Sequence, residues 1–156
     1  MNTDALRSAY RELLRVAATD GLGEASDGGW NADHVLAHII SVDSSVAAVA
    51  LQVVSGSRPG FDNRITLDAW NLDRIVADHP DRASLIEHLR RQGAVLCDIA
   101  DQLSEHDASV LVPVLMVSNG NLDVDQPIPL AALVDGLADD HLPRHTQQLR
   151  DLERRR

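Results

Sequence analysis

LAALVDGLADDHLPRHTQQL, residues Leu130 to Leu149, is the stretch that decides how this chain folds. Apolar residues recur at Leu130, Val134 and Leu137, spacings of four and three that keep to one face of an α-helix. The next members of that stripe are His141 and His145. At about 100° per residue they lie about 20° and 60° from the line through Leu130, so the core-facing side of a C-terminal helix ends in two imidazoles. Burying adjacent imidazoles without partners costs several kcal/mol, which a metal, a carboxylate or a functional pocket has to offset.

A second stripe supplies a third imidazole. Val35, Ile39, Val42, Val46, Val49 and Val53 follow a four-three rhythm, which argues for a helix although so many β-branched residues are poor helix formers. Asn31 is a good N-cap, Asp33 suits the positive end of the helix dipole, and Trp30 can staple onto Val35. Measured from Val35, His38 falls about 60° to one side and borders the core, whereas His34 falls about 100° away, near the rim. His34 and His38 are themselves four apart and form a ligand-capable pair, so His34 competes with His38. Asp43, about 80° from the stripe centre, reads as a solvated carboxylate, with a supporting role beside a metal ligand as the alternative.

The other elements follow from the same pattern. Leu6, Tyr10, Leu13 and Ala17 predict a helix from about Asp4 to Ala18, ended by Asp20, Gly21 and Gly23. A loop around Gly56, Ser57, Pro59 and Gly60 precedes a helix from about Asn63 to Ala77; Pro80 interrupts, and another runs from about Asp81 to Leu103. These two are either one broken helix or a short one and a long one. From Val110 to Pro129 the chain is not helical: its Val-rich run favours extended structure, and Asn119-Gly120 marks a tight turn. Pro129 then suits the first turn of a final helix that runs to about Leu152. Trp30 and Trp70 read as core residues, and His79, His88 and His106 carry no assigned function. The expected architecture is all-α: a single domain over residues 1–156, built as a four-helix bundle with a short extended or hairpin segment before the last helix.

Composition narrows the function classes. The chain has 156 residues, enough for one domain with a real core. Its 14 basic and 24 acidic residues give a net charge of −10, which repels phosphate backbones and argues against a nucleic-acid partner. The one basic cluster, Arg154 to Arg156, reads as a solvated terminus. No run of 18 apolar residues suggests a membrane span, and MNTDALRSAY does not resemble a signal peptide, so the expected location is cytoplasmic with no membrane partner. Cys97, the sole cysteine, excludes an internal disulfide and reads as a small buried hydrophobe. All 14 basic residues are arginine, which points to a GC-rich genome. No phosphate loop, nucleophile elbow or dinucleotide fingerprint is present.

Three neutral imidazoles from two helices form the protein half of a catalytic metal site, because they leave a position for water or substrate. They suit zinc or nickel, with iron a further candidate. On the stretches Trp30-Asn-Ala-Asp-His-Val-Leu-Ala-His38 and His141-Leu-Pro-Arg-His145-Thr-Gln-Gln-Leu149, the chain resembles the DinB-like/YfiT-like superfamily, which includes the N-terminal domain of mycothiol-dependent maleylpyruvate isomerase. The resemblance covers essentially the whole chain in length and element order. It implies an up-down-down-up bundle and a divalent metal held by His38, His141 and His145. In the isomerase branch the first member of the late pair is glutamate; His141 here is closer to the general DinB-like pattern. Pro143, between the late histidines, removes one helical hydrogen bond and can kink the helix.

The chemistry implied by the resemblance is metal activation of a low-molecular-weight thiol for S-transfer or isomerisation, with a small electrophile as second substrate. Mycothiol fits the lysine-free composition better than bacillithiol. Arg144 is the candidate cofactor-binding residue, able to meet a carboxylate, with surface ion pairing as its other reading. No catalytic residue is assigned. The competing expectation is a non-catalytic bundle that binds a small ligand or forms a homodimer.

Overall fold

The computed structural model describes residues 1–25 and 28–153; the basic tail Arg154 to Arg156 lies outside them. Helix α1 spans Asp4–Ala17 and α2 spans Ala32–Val54. A short strand β1 (Phe61–Asp62) leads into α3 (Arg64–Leu67), α4 (Ala69–Ala77) and the long α5 (Arg82–Gln102). A helical turn α6 (Glu105–Ser109) is followed by β2 (Leu111–Ser118) and β3 (Asn121–Pro129). The chain closes with α7 (Leu130–Gly136), a π-helical turn over Leu137–His141, and α8 (Leu142–Asp151).

Each boundary has a local cause. Asn31 accepts the His34 N–H and Asp81 accepts the Ser84 N–H, fixing the starts of α2 and α5. Ser104 and Asp107 close a reciprocal capping box on α6. The expected helix from Asn63 to Ala77 is split because Asp68 is extended (ψ 123°) and caps Asn71, so α4 starts afresh one residue later. Asn119 and Gly120, at φ 50° and 77°, make the tight β2–β3 turn that the dipeptide predicts.

The all-α four-helix bundle is corrected by a three-stranded mixed sheet. β2 pairs antiparallel with β3 from Leu111–Pro129 to Ser118–Asn121, with an irregularity between Met116 and Val117. On the other side β2 pairs parallel with β1, Phe61 opposite Val114. The reason lies in alternation: Val112 and Val114 are buried while Leu111 and Pro113 point outward, so β2 packs one face on the helical core. Phe61, from the loop after α2, is buried there too and recruits β1. A bare hairpin would be marginal in water; a third strand and a helical backing stabilise it.

The core joins the long helical segments, with Leu13, Val35, Ile39, Leu89, Leu96 and Leu149 all fully buried. By length and apolarity α2 reaches what a membrane span needs, contrary to expectation, but most of that stretch is buried inside the protein. Tyr10 of α1 packs flat on Gly93 of α5, where an added Cβ would stand 2.8 Å from the ring. Gly93→Ala should therefore destabilise the fold by about 1–3 kcal/mol through overpacking, read as a lowered urea midpoint at unchanged slope.

Two expectations fail in the core. Trp70 is 70% exposed, with the Arg74 guanidinium 5.9 Å over its ring, and is not a core residue. Asp43 is the reverse case: it is wholly buried, and neither carboxyl oxygen has a hydrogen-bond partner among the described residues. Burial pushes its carboxyl up to about 8, offset slightly by the neighbouring Tyr10 hydroxyl. Asp43 therefore sits as a neutral acid beside Tyr10 and far from any solvated role.

Candidate metal centre

α2 brings His38 to the core side of the molecule two turns after its N-cap, Asn31, and the last helix brings His141 and His145 to meet it. The nitrogen donors of the three residues all lie within 4.8 Å of one another. The ring centroids are 5.2 Å apart for His38 and His141, 4.8 Å for His38 and His145, and 4.6 Å for His141 and His145. The Nε2 atoms of His38 and His141 are 3.1 Å apart. Tetrahedral ligands at about 2.0–2.1 Å from zinc stand about 3.3 Å from each other, so this pair is already at co-ligand spacing.

Two of the rings are oriented from behind. His38 Nδ1–H donates to the carbonyl of Thr66 at 2.7 Å, and His145 Nδ1–H donates to Gln148 Oε1 at 2.8 Å. A proton held on Nδ1 leaves the Nε2 lone pair free, which is how metal-binding histidines are usually prepared. His141 differs: its Nδ1 is buried with no partner among the described residues, so nothing orients it except its neighbours at the site. Three donors facing one point, two with fixed tautomers and one orphaned nitrogen, fit a divalent cation better than an apolar core.

The electrostatics agree. Burial lowers the His38 pKa to about 4, His145 adding to the effect and the Thr66 carbonyl opposing it. His141 is held well below the usual imidazole range by burial, then by His145 and His38. His145 is lowered by burial, against the pull of Gln148. All three are neutral near pH 7, the form that ligates.

The centre opens into a cleft of about 860 Å³, within the range of small-molecule sites. One wall is helical and apolar, with Val42, Val46, Leu133 and Leu137; the facing wall is the sheet, with Phe61, Met116, Val124 and Ile128. Trp30 stands against His38 at 4.9 Å between ring centroids, and Asn63, Gln148 and Arg144 supply polar edges. Arg144 is on the rim, paired at 2.5 Å with Asp140 of the π-helical turn.

His34 is not part of this group. Its Nδ1 meets Asn31 Oδ1 at 2.8 Å and its Nε2 meets Asp73 at 2.9 Å, so both nitrogens are engaged elsewhere. His79 and His88 form a separate exposed couple, Nε2 to Nδ1 3.0 Å, with no third ligand among the described residues. Cys97 is buried, with its thiol pushed up to about 11 by burial, and is no nucleophile. Thr66, Gln148 and Asn63 escaped the sequence reading. Gln148 has a signal, since it lies one turn after His145; Thr66 has none, because its contribution is a backbone carbonyl.

Three histidines of this chain thus lie close enough together to bind a metal ion. No known protein family, curated protein or solved structure matches the chain.

Proposed function

We propose that the protein is a divalent-metal-dependent enzyme acting on a low-molecular-weight thiol and a small electrophile, by S-transfer or an isomerisation of that type. The observation that carries this reading is the convergence of His38, His141 and His145, all neutral and two of them oriented from behind, at the end of a cleft. His38, His141 and His145 hold the cation, zinc or nickel by donor type, with iron as the further candidate. A cation held there supplies Lewis acidity, which lowers the pKa of a coordinated thiol or water.

The chain's own residues account for the rest. The Thr66 carbonyl and Gln148 keep two Nε2 lone pairs aimed at the centre. Val42, Val46, Leu133 and Met116 exclude water and receive the apolar part of a substrate. Arg144 exchanges its Asp140 carboxylate for a carboxylate of the electrophile at the rim. The Trp30–His38 and His141–Leu149 motifs support a DinB-like affiliation, and the lysine-free composition supports mycothiol as the thiol.

Elemental analysis of the protein purified without chelator, beside His145→Ala, tests the reading. About one divalent metal per chain in the native protein, and trace metal in the variant, is the expected result. The surface couple is silenced in both by His79→Ala, so that it does not contribute. Trace metal in the native protein would instead favour a non-catalytic ligand-binding or homodimeric role for the cleft.

A further inference from the structure

Asn71 lines neither the cleft nor the metal centre, yet its single side-chain nitrogen joins the two pieces of backbone that hold His38 in place. One N–H bond goes to Ser41 Oγ at 3.0 Å and the other to the carbonyl of Ile65 at 3.0 Å. Ser41 is three residues after His38 on α2. Ile65 directly precedes Thr66, whose carbonyl takes the His38 Nδ1 proton. We propose that Asn71 is a positioning residue of the three-histidine centre, locking the Thr66 carbonyl to the helix that carries His38 and so fixing that ring's tautomer. This rests on the metal-binding reading above.

The neighbouring bonds show what Asn71 adds. The other end of α3 is tied to the sheet. The Asn63 side-chain amide pairs both ways with Val117, at 2.9 and 3.0 Å, and continues the β1–β2 ladder by one rung. The Asn63 carbonyl accepts from the Thr66 hydroxyl at 2.7 Å and from the Thr66 N–H at 3.0 Å. These contacts fix α3 to β2 but not to α2. Apart from the His38 bond itself, the Asn71 amide makes the hydrogen-bonded link between α3 and α2 among the described residues.

Asn71 is itself held. Its backbone N–H is capped by Asp68, its Oδ1 accepts from Arg74, and it is only 6% exposed. A primary amide gives two donors from one nitrogen; leucine of similar volume gives none, and aspartate offers only acceptors to a carbonyl. Without the link the Thr66 carbonyl is free to drift from the ring. His38 can then carry its proton on Nε2, the atom that must ligate.

The test compares wild type with Asn71→Leu and Ser41→Ala. It measures zinc affinity by chelator competition and the His38 tautomer by ¹⁵N NMR of the metal-free protein. Gly93→Ala, which overpacks the core against Tyr10, serves as the control for lost stability alone. The expected result is a zinc affinity about 10–100-fold weaker in Asn71→Leu, a smaller loss in Ser41→Ala, and wild-type affinity in Gly93→Ala. The His38 ring should pass from a single Nδ1–H form to a tautomer mixture in Asn71→Leu. Unchanged affinity and an unchanged tautomer in Asn71→Leu overturn the proposal, as does an equal loss in Gly93→Ala. If Asn71→Leu does not fold, Ser41→Ala decides on the same two readings. A wild-type protein that binds no zinc defeats the metal reading instead, and the tautomer measurement still judges Asn71.

Discussion

Zinc added to metal-free protein at about one hundred times its Kd should raise the unfolding free energy by about 2.7 kcal/mol. In a chain of this size that is a rise in Tm of roughly 5–10 °C. His38→Ala should show none of it. The effect is large because the three donors come from α2 and the last helix, so the cation cross-links segments more than a hundred residues apart and binds the native state alone. Differential scanning calorimetry with and without zinc, on both proteins, reads the result. An equal rise in His38→Ala would place the stabilising ion elsewhere.

Asp43→Asn should make the protein more stable at neutral pH, and its advantage over the native chain should widen between about pH 4 and 8. In the unfolded chain this carboxyl ionises near its ordinary value of 3.8, whereas in the folded protein burial holds its proton until about 8. Between those limits this carboxyl holds an extra proton in the native state, so its own contribution to stability falls as pH rises and levels off above about 8. The three buried histidines act in the opposite direction in both proteins. The difference amounts to on the order of 4 kcal/mol at pH 7, at about 1.4 kcal/mol per pH unit. Asparagine still buries a polar group beside Tyr10, so the gain at pH 7 should be smaller than that figure, while the gap between the two proteins should still widen with pH. Urea unfolding at pH 5, 7 and 8.5 measures both; parallel curves for the two proteins would show that Asp43 is not the titrating group.

The helical part of the fold was legible because period and caps agree. α1, α2 and α5 begin and end within a residue or two of where their stripes and N-caps put them. The sheet was legible only in part: the β-branched run and Asn119-Gly120 foretold the hairpin, but the two-residue β1 has no period of its own and is defined by its partner. Asp43 was misread because an angle of about 80° from a stripe centre says outside only when one neighbour covers the helix, and α2 is packed on several sides.

The late histidine pair was found by a phase that needs adjusting. Counting about 100° per residue from Leu130 places Leu142 about 120° and Leu149 about 100° off the stripe, yet both are fully buried. The π-helical turn, in which the Leu142 N–H reaches back to the Leu137 carbonyl, absorbs one extra residue and restores both to the line. It also turns His141 further outward than His145, which is why His145 is 9% exposed and His141 more so. Pro143 sits just past this turn and lacks the N–H that a regular helix would use. Two out-of-phase leucine sets in one helix were the visible sign of it.

That wide turn also bears on descent. A chain lacking one residue between Leu137 and His141 would run as an unbroken α-helix, with Leu130, Leu142 and Leu149 in register and the imidazole couple still one turn apart. Length is thus free to vary by one at this point without disturbing either the packing or the ligands. Homologues aligned to this chain should open a single gap there, directly before the residues that matter most.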